Sequence, residues 1–325
     1  MRAVVVHELD DIESVRLEEW PDPEVGVGSV LVEIHAAPLN YVDMVTFRNE
    51  YQFSPTAPYV PGKGPAGVVR SVGPGVTSVR PGDRVLAMAE SGGYAELVAV
   101  DHMQIHPIPD AMSYVDAAAM SLAYDTAWMA LRDRARLAVG ESVLVLGASG
   151  AVGQATVQLA TLMGASRVLA GISRPGRPTG PADAAIDLSR ADLRNSLREQ
   201  VYDSTDGRGV DVVIDTLGGD AFDGAVRTLA WRGRLVIVGF ASGRIPTLKM
   251  NYPMLKNIEV SGLQISDYRK QMPELVQEGY QEIFRFYADG ALVPPACEMV
   301  PLSAWREAFE ALGTSRGHTR RVLVP

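Results

Sequence analysis

The chain has 325 residues, 47% hydrophobic and 21% charged, with a net charge of −9 and a pI of about 5.1. That composition is globular and large enough for two cored domains, and its acidity argues against nucleic acid or an anionic membrane surface as a partner. A single cysteine, Cys297, excludes an intrachain disulfide framework and a multi-cysteine zinc site, and suits a reducing, cytoplasmic location.

The N-terminal stretch "MRAVVVHELDDIESVRLEE" turns acidic within ten residues and lacks the long apolar core of a signal peptide. Up to about residue 110 the chain reads as short β-branched runs: "RAVVVHEL", "VLVEIHAA", "GPAGVVRSVG", "DRVLAMA" and "GGYAELVAV". Gly, Pro and Asp punctuate them, as in a barrel-like β domain. From residue 113 the texture changes. "SYVDAAAMSLAYDTAWMALRDRA" is helical in period, with Ser113 and Asp116 spaced for an N-terminal cap. Apolar strands then alternate with helical patterns, from "SVLVLG" through "RVLAGI", "VDVVIDTLG" and "GRLVIVGF" to "IEVSGL". This is the pattern of a doubly wound parallel sheet. The uncharged run 142–166 holds four glycines and changes period midway, so it reads as strand, turn and helix rather than a membrane span. Beyond residue 263 a long helix is expected over "YRKQMPELVQEGYQEIFRFYADG". Two β pieces, "EMVPL" and "RRVLVP", follow. The last has no evident place in the α/β sheet and is available to return to the first domain.

Two glycine clusters carry nearly the same spacing. In "GKGPAG", Gly62, Gly64 and Gly67 stand as G-x-G-x-x-G, yet a glycine-broken strand follows and Pro65 sits inside. In "GASGAVG", Ala148, Gly150 and Gly153 fill the three positions between a strand and a helix. A phosphate-binding turn must open a helix, whose N-terminal N–H groups and dipole receive the pyrophosphate. The second cluster is therefore the dinucleotide turn, and the first is a decoy. An NAD site places an acid at the end of the second strand. Here that strand ends in Ser173-Arg174, with Arg177 nearby, and a guanidinium there pairs with a 2′-phosphate. NADPH is the expected cofactor. The proline-rich stretch 173–183 leaves little room for a helix after that strand.

Across nearly its whole length the chain resembles a zinc-independent medium-chain dehydrogenase/reductase of the quinone oxidoreductase type. The resemblance is carried by "APLNYVD", "VPGKGPAGVV", "VGPGVTSVRPGDRV", "GGYAELVAV", "GASGAVGQATVQLA", "VDVVIDTLGG", "GRLVIVGFASG" and "LKNIEVSG". It implies an α/β chain in which a GroES-like β-barrel domain (1–118 and 264–325) is built around a Rossmann domain (119–263). It also implies an active site in the cleft between the domains, and a homodimer made through the strand near "IEVSGL".

In zinc-dependent relatives the positions of Lys63-Gly64 carry a His-Glu pair at the metal, and a metal-binding cysteine stands where this chain has Asn40-Tyr41. No metal is expected. His102 and His106 are four residues apart with no third ligand and read as surface residues. Without a Lewis acid, hydride addition to a quinone or to an enone is the expected chemistry. Asn40 and Tyr41 are candidate donors, Tyr41 being otherwise a packed wall. Lys63 is placed to stabilise an oxyanion, bind an acidic group or pair with Asp43; otherwise it snorkels at the rim. Tyr51, with Arg48, and Trp128 are candidate substrate contacts, Trp128 being otherwise core. The resemblance carries cofactor contacts onto Thr126, Ser149, Gly150, Ala151, Val152, Ser173, Arg174, Leu217, Phe240, Ala241 and Ser242, with Arg320 where a lysine is frequent. An enoyl-thioester reductase and a non-catalytic NADPH-binding sensor or scaffold are the competing readings.

Overall fold

A computed structural model of the chain describes residues 1–51, 54–174, 176–177, 179–314 and 319–325. It divides into two compact units, residues 1–122 with 269–325, and residues 123–268. The sequence puts these boundaries at 118/119 and 263/264. Both observed boundaries fall inside helices, where composition carries no break.

The first unit opens with β1 (Arg2–Val6) and β2 (Val15–Glu19), an antiparallel pair. β3 (Ser29–Pro38), α1 (Tyr41–Phe47), β4 (Ala66–Val72), β5 (Arg84–Ala87), β6 (Leu97–Asp101) and β7 (Ile105–Pro107) follow. β3 lies antiparallel to both β4 and β6, β4 to β5, and β5 to β7. Val30, Val32 and Ile34 alternate inward along β3, and Val69, Val85 and Val98 meet them in one core. This is period-two burial of β-branched residues, which fit a pleated surface.

α2 (Tyr114–Met129) starts where the Ser113 hydroxyl accepts the Asp116 N–H at 3.0 Å. The first boundary falls within it. A π turn, Ala130–Arg134, ends it.

The second unit runs β8 (Ser142–Leu146), α3 (Ala151–Leu162), β9 (Arg167–Ile172), β10 (Ala184–Asp187), α4 (Leu193–Ser204), β11 (Val210–Asp215), α5 (Gly219–Ala225), β12 (Leu229–Ile237), α6 (Asn251–Lys256) and β13 (Glu259–Gly262). The six strands are parallel, in the order β10-β9-β8-β11-β12-β13. From β8 the chain moves outward through β9 and β10, then crosses to β11 on the other side. That reversal beside β8 is the switch point where ligands bind in open α/β sheets. The uncharged run 142–166 is thus strand, turn and helix, and among the described residues no helix is long and apolar enough to cross a membrane. β10 and α6 are too short and too weakly patterned to be legible in the sequence. Of the 173–183 stretch, Pro175 and Pro178 lie outside the described residues.

The single long helix expected after residue 263 is two: α7 (Ile265–Gln271) and α8 (Pro273–Ala288). Pro273 lacks the N–H that would continue the ladder, so it ends one helix and starts the next. β14 (Cys297–Pro301), α9 (Trp305–Thr314) and β15 (Arg320–Val324) complete the chain. β15 returns to the first unit, antiparallel to β3 with Val322 opposite Pro38, and β14 runs parallel beside it.

Candidate functional site

In the second unit the carboxyl ends of four strands carry the expected cofactor residues. Gly147 follows β8 with φ +76°, and a Cβ there would lie 2.5 Å from Thr216 Oγ1. Gly153, one turn into α3, packs beneath it. A Cβ at 153 would overlap the Gly147 carbonyl oxygen and lie 2.7 Å from Ala148 Cα. The tight-turn role is therefore played by Gly147, one residue before Ala148. Gly150 is the N-cap of α3 and offers no side-chain cap. The N–H groups of the first turn, from Ala151 and Val152, have no intrahelical partner by the geometry of a helix start. Ser149, Gly150, Ala151 and Val152 are all at least partly exposed.

Hydrogen bonds tie the neighbouring loops into one crest. Thr216 Oγ1 donates to Leu146 O at 2.9 Å, and the Gly147 and Ala148 N–H groups donate to Gly171 O at 3.1 and 3.0 Å. Ala241 N donates to Thr216 O and Ser242 N to Leu217 O, at 3.1 and 3.0 Å. Asp215 Oδ1 accepts from Leu217 N and Gly218 N at 2.8 and 2.9 Å, and its burial raises the carboxyl above the ordinary range. Leu217, Phe240, Ala241 and Ser242 thus stand on two bonded loops. Ser173 and Arg174 lie exposed at the end of β9, with no acid at that strand end. Thr126 and Trp128 sit on α2 rather than on a strand end, and both are buried. The Thr126 hydroxyl lies 3.4 Å from Asp125 Oδ1.

In the first unit the decoy glycines answer a steric demand. A Cβ on Gly64 (φ +67°) would lie 2.6 Å from Ser121 Oγ of α2, and one on Gly62 would lie 2.7 Å from the backbone N of Tyr94. The loop between them carries Lys63. Asn40, which begins α1, donates from Nδ2 to Lys63 O at 3.3 Å and to Pro38 O at 3.4 Å. Its Oδ1 accepts Arg320 Nη2 at 2.8 Å. Arg320 therefore stands on β15 against Asn40, and both amide hydrogens of Asn40 are engaged. Tyr41, the next residue, is 55% exposed.

Lys63 is buried, at 7% exposure, and does not snorkel. Its Nζ donates to Glu90 Oε2 at 2.5 Å, not to Asp43, and lies 5.9 Å from the Tyr51 ring centroid, within cation–π range. Arg269 Nη1 donates to the other carboxylate oxygen of Glu90 at 2.9 Å. Burial alone would raise the Glu90 carboxyl, but Arg269 and Lys63 pull it down to about 2. Asp43 is held elsewhere: Tyr94 OH and Asn40 N donate to its Oδ2 at 2.7 and 3.0 Å. Burial lifts its carboxyl to about 6 against those hydrogen bonds.

His106 is not a surface residue. β7 turns it under α8, where it is 4% exposed with its ring centroid 4.3 Å from that of Tyr280. Burial, with the Arg269 charge, pushes the imidazole down to about 3. Two buried neighbours in "QIHPI" were the available signal. His102 lies in a short helical turn after β6. Glu90, Arg269 and Tyr94 were missed. Glu90 and Arg269 are 179 positions apart, beyond any local pattern. Among the described residues no group of three or more His, Cys, Asp or Glu could hold a metal ion.

The chain matches the alcohol dehydrogenase GroES-like domain over residues 26–110 and the zinc-binding dehydrogenase family over residues 151–280. It is 33% identical over 329 residues to the quinone oxidoreductase-like protein 2 homolog of Nematostella vectensis, covering 99% of this chain and 88% of that protein. Among solved structures it is similar to a probable oxidoreductase from Mycobacterium abscessus, with a TM-score of 0.86 at 33% identity, covering 100% of this chain and 99% of that one. It is also similar to the Escherichia coli quinone oxidoreductase complexed with NADPH, with a TM-score of 0.89 at 25% identity, covering 100% of both chains.

Proposed function

The chain belongs to the medium-chain dehydrogenase/reductase family that includes the quinone oxidoreductases, and from that premise we propose that it is an NADPH-dependent reductase of quinones or α,β-unsaturated carbonyls. One observation carries the cofactor reading. An uncapped helix start stands behind the Gly147–Gly153 turn, beside a strand end that offers Ser173 and Arg174 in place of an acid. The first-turn N–H groups of α3 suit a pyrophosphate, and Arg174 suits a 2′-phosphate. Leu217, Phe240, Ala241 and Ser242 line the remaining strand ends, where the nicotinamide half would rest.

Bound NADPH supplies a hydride to the electron-poor acceptor, leaving negative charge on the acceptor oxygen. Lys63 stabilises that charge. Its ammonium has three N–H donors and, among the described residues, one hydrogen-bond partner, Glu90. Tyr41, exposed at the start of α1, is the candidate proton donor, with Tyr51 as a substrate contact beside Lys63. Asn40 holds the Lys63 backbone rather than substrate. Trp128 and Thr126, buried on α2, back the cofactor region, and Arg320 acts through Asn40. The reaction runs without a resident zinc; the lysine and glycine at 63–64 support that reading.

The chain acts as a homodimer in the cytoplasm. β13 is the last strand of its sheet, and Ile245, Met250, Met254 and Leu255 just before it are 69–72% exposed. Such a strand edge with apolar neighbours favours pairing with a second copy.

The test is NADPH oxidation with 1,2-naphthoquinone, a simple enone and crotonyl-CoA. Turnover with the first two is expected. Turnover with crotonyl-CoA alone would transfer the assignment to enoyl-thioester reduction. Tight NADPH binding with no turnover in any arm would favour a sensor or scaffold.

A further inference from the structure

Lys63 is flexible by nature, an ammonium on a four-carbon stem. In this chain its surroundings are not. Its backbone carbonyl is held by Asn40, Gly64 beside it abuts Ser121, and its ammonium meets a carboxylate that is itself held from the far side. That carboxylate is Glu90, whose two oxygens are divided between Lys63 Nζ at 2.5 Å and Arg269 Nη1 at 2.9 Å. The side chains of Lys63 and Arg269 are 9% and 1% exposed, so neither cation is screened as a surface charge would be.

We propose that Glu90 is the positioning residue of Lys63: braced by Arg269, it fixes the ammonium at one point of the first unit, with donors left for an acceptor oxygen of the substrate. The inference rests on the reading of Lys63 given above and adds the group that makes it effective. A charge stabilises a developing oxyanion only where it is already in place, since reorganisation during the reaction forfeits the gain.

The alternative resting place for the ammonium is Asp43, whose charge also reaches Lys63. Asp43 instead accepts Tyr94 and Asn40 on its Oδ2, and the ammonium is placed on Glu90 at 2.5 Å. His106, which also feels the Arg269 charge, is pushed down to about 3 by burial, so it is neutral and does not compete for Glu90. Held by Arg269 and Lys63 together, Glu90 stays ionised while it anchors the ammonium.

The sequence has four lysines, at 63, 249, 256 and 270, so 15N-lysine labelling of the full chain gives a spectrum simple enough to read. A side-chain ammonium signal missing in Lys63→Arg identifies Lys63. In Glu90→Gln that signal is expected to move or broaden beyond detection. In the same preparations kcat with 1,2-naphthoquinone is expected to fall about tenfold or more, the scale of a misplaced catalytic group, with KM for NADPH unchanged. The Lys63→Ala, Glu90→Gln double variant is expected to be no slower than Lys63→Ala, because Glu90 acts through Lys63. Glu90→Asp, one methylene short, replaces Glu90→Gln if the latter fails to fold, with the same signal expected to move. An unchanged Lys63 signal, or losses that multiply in the double variant, overturns the proposal. If Lys63→Ala turns over as the wild type does while Glu90→Gln still displaces the signal, the positioning stands and the oxyanion reading of Lys63 falls.

Discussion

Gly153 packs directly beneath Gly147, so closely that a side chain at 153 would overlap the carbonyl oxygen of 147. Helix α3 thereby approaches β8 at backbone contact, and its first turn is set behind the loop. Gly153→Ala forces the two apart. Overpacking of this kind costs about 1–3 kcal/mol. We expect Gly153→Ala to lower the urea midpoint and to weaken NADPH at least as much as NADH. A variant with wild-type stability and affinity would show that the contact is not needed.

Arg174→Ala separates the two cofactors. Losing a charge-assisted hydrogen bond to the 2′-phosphate costs about 1.5–3 kcal/mol. Calorimetric titration should show that loss for NADPH and almost none for NADH. Equal weakening of both would remove Arg174 from the 2′-phosphate.

Lys63→Ala should lower kcat and kcat/KM together, on the order of 10²-fold, the scale of removing one preorganised donor. Glu90 keeps Arg269 as a partner in that variant, so the melting temperature should change little. Unchanged kinetics would make Lys63 a structural cation.

Asp43 gives stability a pH dependence of definite sign. Burial raises its carboxyl from 3.8 to about 6, so the folded chain holds this proton more tightly than the unfolded chain. The contribution is full below pH 3.8 and is lost as pH rises through about 6, roughly 3 kcal/mol in all. Glu90, drawn down from 4.5 to about 2, works in the opposite direction, but below pH 4.5. Between pH 4.5 and 7 the wild type should therefore lose stability relative to Asp43→Asn. Urea unfolding of both proteins at each pH would read this directly, and a constant difference would contradict it.

The dimer is tested on its exposed apolar residues. Met254→Glu with Leu255→Glu places two charges beside β13, and sedimentation should show a monomer that keeps its circular dichroism spectrum. A persistent dimer would place the interface elsewhere.

The fold was legible because its signals are local. "SVLVLG" before "GASGAVG" gives strand, turn and helix within one window, and the acid-free end of β9 is read from two residues. The returning β15 was half legible, as a strand without a place. The Lys63 cluster was not. Glu90 follows β5, Arg269 lies in α7, and Asn40 begins α1, so only the folded chain brings them together. The glycines of "GKGPAG" were rightly set aside as a phosphate loop, but what they do stand against was hidden for a related reason. A spacing records that side chains are forbidden, but not whether phosphate, Tyr94 or Ser121 forbids them. His106 was misread because its partner Tyr280 is 174 residues away, in α8.

The bond from Arg320 to Asn40 joins residues 280 positions apart, and the whole second unit lies within that interval. An order of folding is expected. The second unit can close on contacts within its own continuous stretch, whereas the first, though β3 pairs with the nearby β4 and β6, is completed at the end of β3 and the start of α1 only when β15 arrives. Ordering so distant a pair is slow, because the entropy of closing the loop is lost before the contact forms. The segment that carries Asn40 and supports Lys63 is thus expected to be among the last to become rigid, and newly folded chains should bind dinucleotide before they acquire turnover.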